Sequence, residues 1–268
     1  MMQWLNFLGE IKLNQKLIDK IKNIAEFNNK VIKPNGKIPN FGDNDSGSII
    51  WHKNYPDSNK SYLLDFVSII LNTPELAWSN NPKSWMCKGD SLNSHNLINN
   101  NSNGEFVLND SGLVISKNKR NYLGLYLGPN KNYSQTLGHS HNDSLSFDLC
   151  IDGNDIISDS GTYTYADIKC RNLSRSTAFH NICKIDGKEL NEIKYDEQFF
   201  MQNRNNTIIE SVETNNEIIK ITGSHTAYKE IELVKFIREI EFNNLTGHIM
   251  LRSEEHTSEL QSRRNLVC

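Results

Sequence analysis

Two histidines and an aspartate lie close together in the segment GHSHNDSLSFDLC, at His139, His141 and Asp143. Leu145 and Phe147 follow with polar residues between them, which is typical of a strand. Because residues two apart share a face of a strand, counting backwards places the three polar side chains on the apolar face. A buried polar group without a partner costs about 1–3 kcal/mol, so these side chains need a partner, and a metal ion is one.

A zinc ion would bring together polar residues from the ends of three neighbouring predicted strands. Asp159 follows the apolar run DII, and His180 begins the run HNICKID. Imidazole nitrogens and carboxylate oxygens suit Zn²⁺, which commonly takes three protein ligands and keeps one open position. Each residue alone is explained as well by a hydrogen bond to a loop. As a set, His141, Asp159 and His180 predict a metal site.

A second grouping of ligands is an iron site of two histidines and one carboxylate. His141, Asp143 and His180 would supply it, and the protein would then be an oxygenase. The stretch between Asp143 and His180 leaves little room for the rest of the barrel that carries such sites. The sequence therefore favours zinc.

The segment between Asp159 and His180 holds further candidates, namely Tyr163, Tyr165, Arg171 and Arg175. Tyrosine can donate or accept a proton when its pKa is tuned, and arginine can pair with a substrate carboxylate through two parallel hydrogen bonds. Aromatic packing on a sheet edge and surface salt bridges explain the same residues equally well.

The segment GDNDSG places Asp43 and Asp45 in a D-x-D-x-G pattern, which is similar to calcium loops. Such loops need a glutamate at their last position, where Asn54 stands. We interpret the segment as a capped turn whose carboxylates could line a cleft.

Helical spacing dominates the first hundred residues. Apolar residues recur at helical intervals from Leu17 to Ala25, and the turn at 34–36 follows that helix. A second helix is predicted over 59–71, and a third, shorter one over 74–78.

Short apolar runs bounded by turn residues follow the polar linker at 91–104, and they predict an antiparallel sandwich. The fold class is therefore α+β, with a helical domain over 1–103 and a β-sandwich over 104–251. From Arg252 the sequence RSEEHTSELQS resembles a translated sequencing adapter. Residues 252–268 are accordingly expected to be an artefact and are left out of the fold prediction.

Composition excludes several classes of protein. The net charge is −3 and lysines are spread along the chain, which argues against a nucleic-acid-binding surface. The five cysteines form no C-x-x-C pair, so a thiolate zinc knuckle is not expected. No run reaches the roughly 18 apolar residues of a membrane span.

The segments GHSHNDSLSFDLCIDGNDIISDSGTYTY and RNLSRSTAFHNICKIDG closely resemble the heparinase II/III-like polysaccharide lyases. The likeness runs over roughly 39–186 and includes IPNFGDNDSGSIIWH, which resembles the end of the family's helical domain. It implies a remnant of an incomplete α/α toroid followed by an antiparallel β-sandwich. It also implies cleavage of uronic-acid-containing polysaccharides by β-elimination, in the periplasm or at the cell envelope.

The resemblance also implies roles for the residues singled out above. It places a structural zinc on His141, Asp159 and His180, and makes His139 the histidine that faces the active-site cleft. A tyrosine in this region would exchange a proton with the substrate, and Tyr165 fits that role slightly better than Tyr163.

The chemistry of β-elimination suits these residue types. The C5 proton of a uronic acid is weakly acidic, and its removal places extra negative charge on the carboxylate, which His139, Arg171 and Arg175 could neutralise.

The family's main base lies on toroid helices that this chain starts too late to contain. We therefore expect a lyase fragment acting on an acidic polysaccharide. The alternative is a noncatalytic carbohydrate-binding or metal-stabilised module. The particular polysaccharide and the oligomeric state stay open.

Overall fold

The computed structural model describes residues 14–44, 60–71, 73, 102–128, 137–204, 206–228, 233–257 and 266–267. The chain divides into two compact units. One comprises Met1–Ile38 and Ser46–Asn103, and the other comprises Pro39–Asp45 and Gly104–Cys268. The short segment Pro39–Asp45, which the sequence placed with the helices, thus belongs to the second unit.

The first unit contains helices α1 (Gln15–Val31) and α2 (Tyr62–Leu71). Asn14 caps α1, since its side chain accepts a hydrogen bond of 2.9 Å from the backbone of Leu17. Both helices were predicted, and they bury the small apolar cluster Ala25, Ile32, Leu64 and Val67. The helix predicted over 74–78 lies outside the described residues. None of the described helices is long and apolar enough to cross a membrane.

The second unit is built from antiparallel strands. One sheet has the order β1 (Gly104–Leu108), β2 (Leu113–Lys117), β3 (Tyr122–Tyr126), β4 (Ser146–Ile151) and β5 (Asn154–Ile157). Helix α3 (Ile168–Ser174) and the short strand β6 (Lys184–Ile185) follow. Strands β7 (Thr207–Asn215), β8 (Ile218–His225), β9 (Leu233–Asn243) and β10 (Ile249–Thr257) form the second sheet, and β11 (Leu266–Val267) pairs with β6.

The inner faces of the two larger sheets form one apolar core. The first sheet contributes Val114, Leu123, Leu125, Phe147 and Leu149, and the second contributes Ile219, Ile221, Phe236, Ile240 and Phe242. Each set alternates along its strands, as expected for a sandwich in which residues two apart share a face. The predicted α+β class with an antiparallel sandwich is confirmed.

The loop before β4 corrects one prediction. Strand β4 begins at Ser146, and Leu145 has a φ of 67°, in the left-handed region. The alternation therefore stops at Leu145, and the strand count does not reach His139, His141 or Asp143. These residues lie in a loop that leads into the strand.

Two other strand predictions differ from the structure. The run EQFFMQN at 197–203 is one of the short apolar runs that predict strands, but it contributes only an isolated bridge from Met201 to Ile193. Strand β7 was not predicted, because its many polar and exposed residues give a weak apolar signal. Strand β10 pairs with β9 from Ile249 to Thr257, so the sheet extends past Arg252, where the adapter-like sequence starts. The origin of residues 252–268 stays a prediction.

Candidate active site and metal centre

The segment Pro39–Asp45 brings a carboxylate into the loop that precedes β4. The backbone N–H of Gly42 donates a hydrogen bond of 2.7 Å to the Asp143 carboxylate. The N–H of Asp43 donates one of 3.0 Å to the carbonyl of His139. These contacts fix the position of the Asp43 side chain, which is only 5% exposed.

Several donors converge on the Asp43 carboxylate. Both terminal nitrogens of the Arg171 guanidinium, Nη1 and Nη2, donate to it, at 2.7 and 2.8 Å. The other contacts are His139 Nδ1 at 2.8 Å, His141 Nε2 at 2.8 Å and Thr162 Oγ1 at 2.9 Å. Because a carboxylate only accepts hydrogen bonds, each of these ring nitrogens carries a proton.

This environment keeps Asp43 ionised. Burial alone would raise the pKa of Asp43, but hydrogen bonds from His141, Arg171 and Thr162 outweigh it and hold the pKa well below its usual range. Asp43 is therefore a permanent negative charge that fixes the tautomers of two histidines.

His139 presents its second ring nitrogen to solvent. Its Nδ1 is bound to Asp43, and 74% of its side chain is exposed. The rings of Tyr165 and Phe199 lie beside it, with centroids 6.3 and 5.4 Å away. The guanidinium of Arg171 lies over both aromatic rings, at 4.7 and 4.9 Å from their centroids. The arrangement leaves Nε2 of His139 as an exposed proton acceptor with a fixed orientation.

The two candidate tyrosines differ in placement. Tyr165 packs against His139 and makes a small contribution to the lowered pKa of Asp43. Tyr163 is 78% exposed and has no hydrogen bond or ring contact with the part of the chain that the structure describes. The structure thus brings Tyr165, and not Tyr163, next to the exposed histidine.

The two candidate arginines are fully buried, with 0% exposure each. Arg171 donates hydrogen bonds to Asp43 and to the carbonyls of Gln198 and Gly138. Arg175 donates to the carbonyls of Gln198 and Leu137, each at 3.0 Å. Neither guanidinium faces solvent, so direct pairing with a substrate carboxylate has no geometry in this structure and stays a prediction.

A second cluster lies behind this site. His141, Asp143 and His180 are buried, and each offers a ligand atom within 4.8 Å of the others. Among the described residues, His141 Nδ1, Asp143 Oδ1 and His180 Nε2 have no hydrogen-bond partner. Three unpartnered buried atoms of types that bind Zn²⁺ fit a cation, because an ion would satisfy all of them at once.

Asp159 reaches the cluster through His180. Its two oxygens lie 3.0 and 2.9 Å from His180 Nδ1, and the hydroxyl of Ser146 donates to it at 3.0 Å. A carboxylate on the far nitrogen of a metal-binding imidazole is a common way to orient that ring. The three residues with an unpartnered ligand atom are therefore His141, Asp143 and His180, the same set that the sequence offered as an iron site. Asp159 as a direct ligand stays a prediction.

The charges of the cluster suit a cation. Burial lowers the pKa of His141, which keeps the ring neutral. Burial would also lower the pKa of His180, but its hydrogen bond to Asp159 and the negative charges of Asp159 and Asp143 outweigh burial and raise the pKa. Burial raises the pKa of Asp143 to about 7. A bound cation reverses the last effect, since it favours the ionised carboxylate.

Sequence reasoning missed the central role of Asp43. The carboxylate lies 96 residues before His139 and 128 residues before Arg171. The only local signal was the pair of acidic residues beside a glycine, and we interpreted it as a turn.

Comparison with known proteins gives one family and several related folds. Residues 101–252 match the model of the family described as heparinase II/III-like, C-terminal. No curated protein matches the chain significantly.

Solved structures share the fold at low sequence identity. A heparan sulfate lyase HepC from Pedobacter heparinus is 18% identical with a TM-score of 0.59, over 91% of this chain and 33% of that one. A mutant of the same lyase is 17% identical with a TM-score of 0.60, over 91% of this chain and 34% of that one. A heparinase III gene product with methylated lysines is 19% identical with a TM-score of 0.63, over 92% of this chain and 33% of that one. The chain spans about a third of the length of these structures.

Proposed function

The chain belongs to the heparinase II/III-like family through that family's C-terminal domain, and on this premise we propose that it is part of a lyase. The substrate class is a uronic-acid-containing polysaccharide, and the reaction is β-elimination. The observation that carries the proposal is the buried Asp43 carboxylate, which holds His139 with one nitrogen exposed.

His139 acts in this proposal as a base of the sandwich domain, alongside the main base that the family resemblance places on the toroid helices. Its exposed Nε2 removes the C5 proton of the uronate, because Asp43 keeps the proton of the ring on Nδ1. The C5–H electron pair forms the C4–C5 double bond, and the bond from C4 to the glycosidic oxygen breaks. Tyr165 lies beside His139 and donates its hydroxyl proton to the leaving oxygen, while the C5 proton stays on His139.

The arginines favour an acidic substrate without touching it. Arg171 and Arg175 carry two positive charges close to the single negative charge of Asp43. The excess positive charge attracts a uronate and stabilises the negative charge that develops on its carboxylate when the C5 proton leaves.

The metal centre supports this site from behind. His141, Asp143 and His180 would hold a zinc ion, with Asp159 orienting His180. Zinc would supply folding free energy and would fix the loop that carries His139, since His139 and His141 share that loop and share Asp43.

The test is the ultraviolet absorbance of the unsaturated uronate product. A panel of uronic-acid polysaccharides is mixed with this chain and, in parallel, with any longer gene product that contains it. His139→Ala and Tyr165→Phe should lower the rate by about 100- to 10,000-fold, the usual contribution of a general base or acid. Tyr163→Phe is the matched control and should retain the rate.

The outcomes separate two classes of protein. Product formation that His139→Ala removes supports the lyase. Binding of a uronic-acid polysaccharide with no product from either protein supports the noncatalytic module instead.

A further inference from the structure

We infer that the sandwich carries a second saccharide site, separate from His139, which takes an acidic sugar unit. A cavity of about 590 Å³ opens beside strand β6, within the size range of small-molecule sites, about 300–1,000 Å³. The residues that recognise the sugar are Lys188, Glu189, Glu192, Tyr195, Arg204 and Tyr228. The sugar class rests on the proposed function, whereas the site itself rests on the cavity.

The cavity has an aromatic rim and a fixed floor. Tyr195 lines the cavity and is 69% exposed, so its phenol ring is accessible from solvent. Tyr228 is only 3% exposed, and its hydroxyl donates to the carbonyl of Lys188 at 3.3 Å. An exposed phenol ring offers an apolar face for the C–H side of a sugar and a polar edge for its hydroxyls.

The charges of the cavity select an acidic ligand. Glu189 is paired with Lys184 at 2.6 Å, and Glu192 is paired with Arg204 at 2.8 Å. Lys188 is exposed, and its ammonium forms no ion pair with any residue in the described ranges. The cavity wall therefore has one uncompensated positive charge, which suits the carboxylate of a uronate.

The acidic side chains of the wall are held in place before a ligand arrives. Glu189 accepts hydrogen bonds from Asn142 at 2.9 Å and from the backbone and hydroxyl of Thr177 at 2.7 and 2.8 Å. A carboxylate with fixed orientation can accept hydrogen bonds from sugar hydroxyls at little entropic cost. The cavity thus combines a fixed acceptor, a free cation and an aromatic surface.

Fluorotyrosine at position 195 gives a direct test, because it reports on the cavity and not on the His139 site. The labelled chain is titrated with a uronic-acid tetrasaccharide and with a neutral glucose tetrasaccharide. The fluorine signal should shift and saturate with the acidic sugar only. Lys188→Ala should weaken that affinity by about tenfold or more, whereas Lys194→Ala, which changes an exposed lysine that is paired with Glu197 and does not line the cavity, should not.

Two results would overturn the site. One is an unshifted Tyr195 signal with the acidic sugar, and the other is equal affinity in the Lys188 and Lys194 variants. The lyase proposal can fail independently of the cavity proposal. A saturating Tyr195 signal without any unsaturated product would support the saccharide site and contradict the lyase activity. Unsaturated product without a Tyr195 signal would contradict only the saccharide site.

Discussion

At the scale of single residues, Asp43 connects two sites that the sequence suggests separately. Its carboxylate accepts hydrogen bonds from His139, which is exposed to solvent, and from His141, which belongs to the buried cluster with Asp143 and His180. Orientation of the proposed base and of a proposed metal ligand therefore depends on the same buried charge. The bidentate contact from Arg171 compensates that charge.

Asp43→Asn should lower the free energy of unfolding by on the order of 3–5 kcal/mol, because it leaves the Arg171 guanidinium buried without its counter-charge. Chemical denaturation measures the loss. Asp167→Asn is the control, since that carboxylate is exposed and caps only the short helix α3. A variant as stable as the natural protein would show that Asp43 does not hold the site together.

Two carboxylates compete for the role of metal ligand, and a pair of variants separates them. Asp143→Asn should remove as much bound zinc as His141→Ala does, because Asp143 brings an unpartnered oxygen to the cluster. Asp159→Asn should weaken zinc affinity by about 10- to 100-fold, as loss of a carboxylate that orients a ligand does. Chelator competition followed by metal analysis measures both affinities.

His139→Ala serves as the control for the metal variants, because its ring binds Asp43 and faces solvent. It should leave the metal content unchanged. A larger loss of zinc affinity in Asp159→Asn than in Asp143→Asn would identify Asp159 as the ligand. Full metal content in every variant would contradict the zinc proposal.

At the scale of elements, the segment Pro39–Asp45 acts as a separate part of the sandwich. Its turn depends on Gly42, which has a φ of 65° and whose added Cβ would lie 3.3 Å from the carbonyl of His139. Both features oppose any other residue at that position.

Gly42→Ala should cost about 1–2 kcal/mol of stability from the left-handed backbone alone, and should also displace Asp43 from His139. Gly187→Ala is a matched control, because Gly187 has a φ of 68° and open space around its Cβ position. The thermal unfolding temperature should fall in both variants. Product formation should fall only in the Gly42 variant, and equal loss in both would mean that the segment does not position the site.

The elements also show what sequence patterns can predict. The apolar alternation of Phe147 and Leu149 is a local property, and it located β4 correctly. The positive φ of Leu145 has no such signal, since leucine rarely adopts it, so the strand was extended too far towards the histidines.

At the scale of the whole molecule, acid stability depends on a histidine in the core of the sandwich. His225 is 1% exposed and packs against Tyr228 and Phe236. Burial, with a smaller contribution from the charge of Arg238, lowers its pKa to about 3. The folded protein keeps this ring neutral at pH values where the unfolded chain protonates it.

Stability should therefore fall as the pH decreases from about 6.5, the usual histidine pKa, towards about 3, by up to about 1.4 kcal/mol per pH unit. Denaturation at neutral and mildly acidic pH measures the slope. His225→Phe should flatten it, because phenylalanine cannot take up a proton. His248→Ala, at an exposed position, should leave it unchanged. A slope that persists in the His225 variant would contradict the assignment.

The site could be predicted only where its parts are close in sequence. The residue types between His139 and His180 predict a metal site and an exposed histidine, and in the structure His141, Asp143 and His180 come together from loops and not from strand ends. Asp43 comes from a separate segment, and no periodicity links it to them. Burial of Arg171 and Arg175 is likewise a property of tertiary packing, so both were assigned to substrate.

The long sequence separation between Asp43 and its partners also governs how the site forms during folding. The sandwich strands β1 to β4 pair with near neighbours in sequence, whereas the contact of Asp43 with His139 closes a loop of 96 residues. Loop closure over such a distance costs entropy before any contact compensates it. A chain that begins at Gly104 would keep every strand of the sandwich and lack this carboxylate, and a peptide of residues 39–45 added in trans could supply it.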